Sequence, residues 1–295
     1  MLVAVLIQSW KPAAAQQLIL PLTGQRHRPI EARTLFHTLF TDFFSERDGT
    51  VYVQTGDIPA MWLRDSSAQT IPYVRFAPFA PVLSVRFNNV IQRNVRNIQT
   101  DPYANAFRAD GRIWERKWEV DSLAWPVLLA WTYWRTTENR GVFTTELHRA
   151  LRTVVNTYRC EQLHATCSRY RFSTSSVTNE RYNPNTGMIW SAFRPSDDAV
   201  TYRFNIPQQV AAVVALQEIT ELARDGYNDV NLANEAQSIG AAVYTGIERY
   251  GKMYDVHSKR WIYAFETDLR RSSDCRRRQP SKPHIAAISR MVLHN

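Results

Sequence analysis

The segment QQVAAVVALQEITELA, residues 208–223, decides the fold class of this 295-residue chain. Its apolar residues cover a broad face at spacings of three and four, and good helix formers fill the other positions, so it predicts a helix, which we extend to 200–224. The same periodicity predicts six further helices, at 30–44, 62–74, 81–99, 118–136, 143–160 and 229–250. One stretch, VYVQ at 51–54, predicts a short strand. We therefore predict a helical fold.

Aromatic residues are the unusual part of the composition. They make up 12% of the chain, with nine tryptophans, whereas the apolar content of 44% is ordinary for a globular protein. Many of the rings stand beside polar residues, as in RIWERKWEVDSLAW (112–125) and GMIWSAFRPSDD (187–198). That pairing suits a carbohydrate, whose C–H faces stack on rings and whose hydroxyls need partners. The alternative is that most of these rings belong to the core.

The net charge of +9 is concentrated at the C-terminus. Residues 269–295 hold seven Lys or Arg and one acid, so this basic tail carries +6 and the rest of the chain only +3. A basic surface spread over the body is not indicated, and we predict no nucleic-acid partner. The motifs H-E-x-x-H and G-x-G-x-x-G, a P-loop and zinc-like Cys/His spacings are all absent, so we predict no cofactor and no metal.

The N-terminal segment and the cysteines bear on the cellular compartment of the protein. MLVAVLIQSWKPAAA, residues 1–15, faintly resembles a signal peptide, so secretion is one interpretation and the localisation stays open. No apolar run is long enough to span a membrane. Cys160 and Cys167 either pair locally or remain free thiols, with Cys275 left over in the basic tail.

Candidate chemistry lies in stretches that combine acids or amides with a ring. They are GDIPAMWLRDSSAQ (56–69), DPYANAF (101–107), WERKWEVDSLAWP (114–126) and GMIWSAFRPSDDA (187–199). The adjacent carboxylates of Asp197 and Asp198 disfavour double ionisation, so one can keep a proton and act as a general acid. The alternative is that Ser196 and Asp197 cap the helix predicted to begin near residue 200. For Asp65 the alternative is a salt bridge to Arg64.

Together with IYAFETD (262–268), these stretches resemble, in order and spacing, glycoside hydrolase family 125, the metal-independent exo-α-1,6-mannosidases. The resemblance covers roughly residues 30–268. It implies an (α/α)6 barrel of paired inner and outer helices, and hydrolysis that inverts the anomeric centre without a metal or cofactor. The implied substrates are α-mannoside oligosaccharides, including mannosides derived from N-glycans.

The resemblance also implies roles for individual residues. The general acid is expected in the RPSDD block, at Asp197 or Asp198. Trp62, Arg64 and Asp65 resemble the wall of the terminal-sugar subsite. The ring would match the shape of the sugar, and the charged groups would hydrogen-bond its hydroxyls. The full predicted substrate-binding set is Asp57, Trp62, Arg64, Asp65, Asn105, Trp190 and Arg194.

After Asp268 the resemblance stops, and the family's water-activating glutamate has no matching position. We therefore expect a truncated or frameshifted end, with about seven of the twelve helices that a closed barrel needs, and impaired hydrolysis. The predicted organisation is a signal-like or disordered segment at 1–28, a partial barrel at 29–268 and the basic tail at 269–295. The alternatives are a catalytically inactive mannose-binding remnant, or an interaction protein whose basic tail binds an acidic partner.

Overall fold

A computed structural model describes residues 42–172 and 184–267 of the chain. The signal-like segment and the basic tail lie outside these residues, as do the predicted domain boundaries. Within them are seven α-helices: α1 (Leu63–Val74), α2 (Pro81–Thr100), α3 (Val120–Thr137), α4 (Thr145–Gln162), α5 (His164–Cys167), α6 (Ile206–Glu221) and α7 (Val230–Tyr250). No helix in this part of the chain is long and apolar enough to cross a bilayer.

Nine short strands connect the helices in four small antiparallel sheets of the described chain. They are β1 (Phe43–Ser45), β2 (Val51–Val53), β3 (Met61–Trp62), β4 (Ala106–Phe107), β5 (Ile113–Glu115), β6 (Phe204–Asn205), β7 (Lys252–Asp255), β8 (Arg260–Tyr263) and β9 (Glu266–Thr267). The sheets are β1–β2, β3–β4–β5, β6–β9 and β7–β8. The strand predicted at 51–54 is confirmed as β2.

Two helix predictions need correction. The helix at 30–44 lies mostly outside the described residues, and Phe43 and Phe44 are wrong as helix because they pair with Val53 and Tyr52 in the β1–β2 hairpin. The helix predicted from residue 200 begins only at 206, where Asn205 caps it with its side chain. The segment before that helix instead forms β6. The other five predicted helices agree with the structure to within about two residues at each end.

The long helices form two packed rows. α1, α3 and α6 lie side by side in one row, and α2, α4 and α7 lie in the other. Along the chain the long helices alternate between the rows, and α6 and α7 pack along each other. α3 and α6 are covered on several sides, which explains why their sequences are apolar around most of the helix. The protein is thus mostly helical, with the paired layering that a helical toroid requires.

Cys160 and Cys167 form a disulfide that joins the last turn of α4 to α5. Of the two alternatives for these cysteines, the structure shows the bridge. The bridged segment supports residues 187–190, because the backbone N–H of Trp190 donates to the carbonyl of Glu161 at 3.0 Å. The disulfide-bridged segment therefore packs against residues 187–190, which lead to the RPSDD loop (residues 194–198).

That segment crosses α7 at two glycines. Gly187 has φ of +75°, and a Cβ placed on it would come within 2.4 Å of the carbonyl oxygen of Ala242. A Cβ on Gly246 would approach the carbonyl of Thr186 equally closely, at 2.4 Å. The close backbone contact needs glycine on both sides, and it sets the path of the residues that follow.

We predict that Gly187→Ala lowers the free energy of unfolding by more than the ~1–2 kcal/mol expected for a left-handed backbone alone, since the new methyl group must push the backbone of α7 away. Gly49→Ala is the matched control, because Gly49 has φ of +81° but open space around its Cβ. Urea unfolding of the two variants measures the difference. Equal losses in both would contradict the close contact.

Glu218 is a buried acid within α6. It is 9% exposed, and its Oε2 has no hydrogen-bond partner among the described residues. Burial, with a smaller contribution from Glu221, raises the pKa of Glu218 to about 8. Because the unfolded chain releases this proton at a lower pH, folding favours the protonated form between the two pKa values.

We therefore predict that the stability contributed by protonated Glu218 is fully present below about pH 4.5 and is lost as the pH rises towards 8. Glu218→Gln should remove this dependence and gain, relative to the wild type, on the order of a few kcal/mol between pH 5 and pH 8. Chemical unfolding at both pH values measures it, with the exposed Glu138→Gln as control. Parallel pH profiles for the wild type and Glu218→Gln would show that the carboxyl is solvated.

Candidate active site

The N-terminal ends of α1, α3 and α6 meet at one place in the first row of helices. Arg64 lies in the first turn of α1, Glu119 immediately precedes α3, and Gln208 lies in the first turn of α6. At the start of α1, the backbone N–H of Leu63 donates to the carbonyl of Asn105, the residue before β4, at 3.0 Å. The three helices thereby direct polar side chains into one site.

A single guanidinium lies at the centre of this site. Arg64 Nη1 donates to Glu119 Oε2 at 2.8 Å and lies 3.6 Å from Asp121 Oδ2. Its Nη2 lies 3.4 Å from Asp65 Oδ2 and 4.0 Å from Asp197 Oδ1. We call these five residues the Arg64 cluster. One cation thus faces four carboxyl groups, and three of those groups come from helix starts.

The excess of carboxyl groups changes their protonation. Burial raises the pKa of Glu119 well above its usual range, and the nearby Asp121 and Asp197 raise it further. Burial also raises the pKa of Asp121 and of Asp65. Burial by itself lowers the pKa of Arg64, but Asp121 and Glu119 outweigh it and hold that pKa above its ordinary value. The cluster therefore keeps its cation, and Glu119, Asp121 and Asp65 take up a proton more readily than exposed carboxyl groups do.

Hydrogen bonds make the cluster rigid. Ser122 Oγ donates to Glu119 Oε2 at 2.9 Å within the first turn of α3. Gln208 Nε2 donates both to Asp121 Oδ1 at 2.9 Å and to the carbonyl of Phe193 at 3.1 Å. The amide of Gln208 thus joins α3, α6 and the RPSDD loop, which fixes the geometry of the site.

The two adjacent aspartates of the RPSDD loop have different surroundings. Asp197 has φ of +63° and accepts a hydrogen bond from Asn105 Nδ2 on its Oδ1 at 3.2 Å. Asp198 is exposed, and its Oδ2 accepts from Ser196 Oγ at 2.9 Å. Only Asp197 of the two contributes to the Arg64 cluster. The alternative that Ser196 and Asp197 cap the next helix is wrong, because Asn205 caps α6.

The structure groups some of the predicted substrate-binding residues and separates others. Trp62, Arg64, Asp65 and Asn105 lie together with Asp197 around the cluster. Trp62 is buried beside Arg64, and its ring N–H has no hydrogen-bond acceptor within the described chain. Contact of these residues with a sugar stays a prediction.

Three other predicted residues are placed differently. Trp190 is buried, with its ring stacked on His164 at 3.6 Å between centroids. Arg194 donates to both carboxylate oxygens of Glu266, at 2.5 and 3.2 Å, so it anchors the RPSDD loop. Asp57 lies in an exposed turn and makes no hydrogen bond or ion pair with the described residues. Direct sugar contact by these three residues stays a prediction.

Sequence reasoning did not single out Glu119, Asp121 or Gln208. The two acids lie within WEVDSL, a stretch that carried the family resemblance. Their position at a predicted helix start was the available signal, since the structure places the start of α3 next to the start of α1, where Arg64 lies. Gln208 carried no such signal, because a glutamine at the start of an apolar helix is usually solvated.

Several buried polar atoms around the site have no hydrogen-bond partner in the described part of the chain. Leaving such atoms unpaired is costly, and a set of them in one place indicates a ligand that would satisfy them. They are Trp62 Nε1, Asn205 Nδ2 and Gln208 Oε1, together with Asp65 Oδ2, which has an ion pair with Arg64 but no hydrogen bond.

Comparison with known proteins identifies the family. The family model of the metal-independent α-mannosidases, GH125, matches residues 30–274. The chain belongs to this family. The resemblance predicted from the sequence is therefore confirmed.

Two relatives place the match in context. A solved Streptococcus pneumoniae structure, a metal-independent α-mannosidase in a non-productive complex with α-1,6-mannobiose, has a TM-score of 0.75 and 31% identity. That alignment covers 89% of this chain and 67% of the pneumococcal chain. The meiotically up-regulated gene 157 protein of Schizosaccharomyces pombe is 28% identical over 73% of this chain and 50% of its own length. This GH125 chain thus spans half the length of the yeast relative.

We predict that Arg64→Met destabilises the GH125 chain by roughly 3–5 kcal/mol at pH 7, because buried carboxylates lose the cation that compensates them. The loss should be smaller at pH 5, since the carboxyl groups can then take up protons. Arg96→Met, which removes an exposed partner of Asp48, is the control and should cost less than ~1 kcal/mol. Urea unfolding at the two pH values measures both, and a loss that does not depend on pH would contradict this account.

Proposed function

We propose that this protein removes terminal α-1,6-linked mannose from oligosaccharides by an inverting, metal-independent mechanism. The observation that carries the proposal is the position of the Asp197 carboxyl group in this GH125 chain. It lies beside Arg64, near buried polar atoms that have no hydrogen-bond partner among the described residues. The α-1,6-mannobiose in the complex of the pneumococcal relative supports the linkage. The two alternating rows of helices support an (α/α)6 toroid.

Asp197 is the better candidate for the general acid. A general acid must reach the glycosidic oxygen while it stays in contact with the sugar-binding groups. The carboxyl of Asp197 is one-third exposed and lies 4.0 Å from the guanidinium of Arg64. Asp198 faces solvent and bonds to Ser196 instead. We propose that Asp197 protonates the leaving oxygen and that Asp198 stabilises the turn.

The terminal mannose is proposed to bind against Trp62 and Asp65. The ring of Trp62 offers a flat surface for the C–H face of a sugar, and its free N–H offers a donor. Oδ2 of Asp65, which lies 3.4 Å from Arg64 Nη2 but accepts no hydrogen bond, offers an acceptor for a hydroxyl. Arg64 lies between them and keeps the surrounding carboxyl groups in place.

An inverting mechanism also needs a base about 6.5–9.5 Å from the acid, with a water between the two carboxyl groups. The family resemblance places that glutamate outside the matched blocks, so we assign the base to no described residue.

The acid assignment makes a direct prediction. Asp197→Asn should lower the turnover of α-1,6-mannobiose by ~10²–10⁴-fold, and it should retain much more activity on a dinitrophenyl α-mannoside, whose leaving group needs little protonation. Asp198→Asn should affect both substrates alike and by less. Steady-state rates of the two variants on the two substrates decide the matter. Identical behaviour of the variants would contradict the distinct roles.

The second candidate function is mannose binding without catalysis. It is favoured by the buried polar atoms of Trp62 and Gln208 that have no hydrogen-bond partner among the described residues. Calorimetry with α-1,6-mannobiose distinguishes the two functions. Binding without product release, under conditions in which the aryl mannoside also stays intact, would favour the binding protein.

A further inference from the structure

Asn105 has an amide whose orientation is determined by its partners. This residue is fully buried. Its Nδ2 donates to Glu115 Oε2 at 2.9 Å and to Asp197 Oδ1 at 3.2 Å, and its Oδ1 accepts from the backbone N–H of Lys117 at 3.0 Å. A flipped amide would turn its oxygen towards two carboxyl groups and its nitrogen towards an N–H group. The observed orientation is therefore the one that satisfies all three contacts.

The backbone around Asn105 is equally constrained. Its carbonyl accepts from Leu63 at the first position of α1, and the residue leads directly into β4. Glu115 lies at the end of β5, and its other oxygen binds Lys117 Nζ at 2.6 Å. The amide is thus fixed between the start of α1 and two strands, so it can fix the orientation of a side chain that it hydrogen-bonds.

These contacts leave Asn105 without a free N–H for a sugar hydroxyl. The sequence-based prediction assigned it to substrate binding, but both of its donors are used within the protein. One of the two bonds reaches the carboxyl of Asp197, a residue of a loop 92 positions later in the chain. That bond gives Asn105 a different role.

We propose that Asn105 is a positioning residue for the general acid, which by donating to Oδ1 of Asp197 leaves Oδ2 as the oxygen that carries the proton. This inference rests on the proposed function. During the reaction the Oδ2–H bond breaks, the glycosidic oxygen gains the proton, and the C1–O bond breaks with its electrons on that oxygen. A water forms the new bond to C1 from the opposite face and gives up a proton to the base or to solvent. Asp197 is left as a carboxylate.

The bond from Asn105 gains strength as the reaction proceeds. Hydrogen bonds to an ionised carboxylate are stronger than those to a neutral carboxyl group, so the N–H stabilises the charge that develops on Asp197. Arg64, at 4.0 Å from the same Oδ1, acts in the same direction. The Arg194–Glu266 pair holds the backbone of the loop, while Asn105 holds the side chain.

The test compares Asn105→Ala with Asp197→Asn and the double variant in the full chain. Asn105→Ala should lower kcat for α-1,6-mannobiose by about ten- to a hundredfold, and kcat for dinitrophenyl α-mannoside by less than about threefold. The double variant should be no slower than Asp197→Asn, because the group that Asn105 orients is already lost. The inhibition constant of mannose should stay unchanged.

Asn94→Ala is the matched control. It removes another buried asparagine, bonded to Ser66 and Ser67 of α1, so any loss it causes should be equal on the two substrates. Equal losses on both substrates for Asn105→Ala would overturn the positioning role. The positioning role would also be overturned if the losses of kcat from the two single variants multiplied in the double variant. Weaker inhibition by mannose with unchanged kcat would overturn it too, and would make Asn105 a sugar ligand.

The outcomes separate this inference from the proposed function. If the wild type turns over neither substrate, the proposed function fails for this chain, and thermal unfolding of the same four proteins then tests the contact. Shifts in Tm that are not additive between Asn105→Ala and Asp197→Asn would support the contact. Additive shifts would overturn it, since residues that do not interact contribute independently.

Discussion

The charge of Arg64 is the constraint on which the rest of the site depends. A buried guanidinium needs anions around it, and Glu119, Asp121 and Asp65 supply them from the first turns of two helices. Those helix starts must therefore meet, which in turn requires α1 and α3 to lie side by side. The Arg64 cluster thus links the packing of the helices to the position of the acid, because the same guanidinium also faces Asp197.

The RPSDD loop is held by contacts outside the candidate active site as well as by contacts within it. The disulfide-bridged end of α4 supports residue 190, the glycine contact with α7 sets the path of the preceding residues, and Glu266 of β9 binds Arg194. A loop with a left-handed residue at its tip needs such anchors, since that backbone conformation is unfavourable by itself. The anchors come from three separate parts of the sequence, so the loop keeps its shape only in the folded chain.

Sequence analysis could predict most of the helices and the blocks of the site, because periodicity and motif are local properties. α2 and α7 were predicted to within a residue for that reason. Trp190 was assigned to the sugar because its neighbours in sequence are polar, whereas its ring stacks on His164, which no local pattern shows. Phe43 and Phe44 continued a helical pattern, but pairing with the β2 strand determined their conformation. The partners of Asn105 are likewise set by tertiary contacts.

The convergence of three helix starts has an electrostatic consequence. The N-terminus of a helix carries about half a positive charge from its aligned peptide dipoles, and the effect is felt within the first turn. α1, α3 and α6 therefore add backbone potential at the place where the carboxyl groups outnumber the guanidinium. Part of the compensating field is supplied by the main chain, so side-chain substitution cannot remove it. The electrostatic potential that favours negative charge in this site therefore depends on how the helices pack. It persists as long as the N-terminal ends of α1, α3 and α6 lie together.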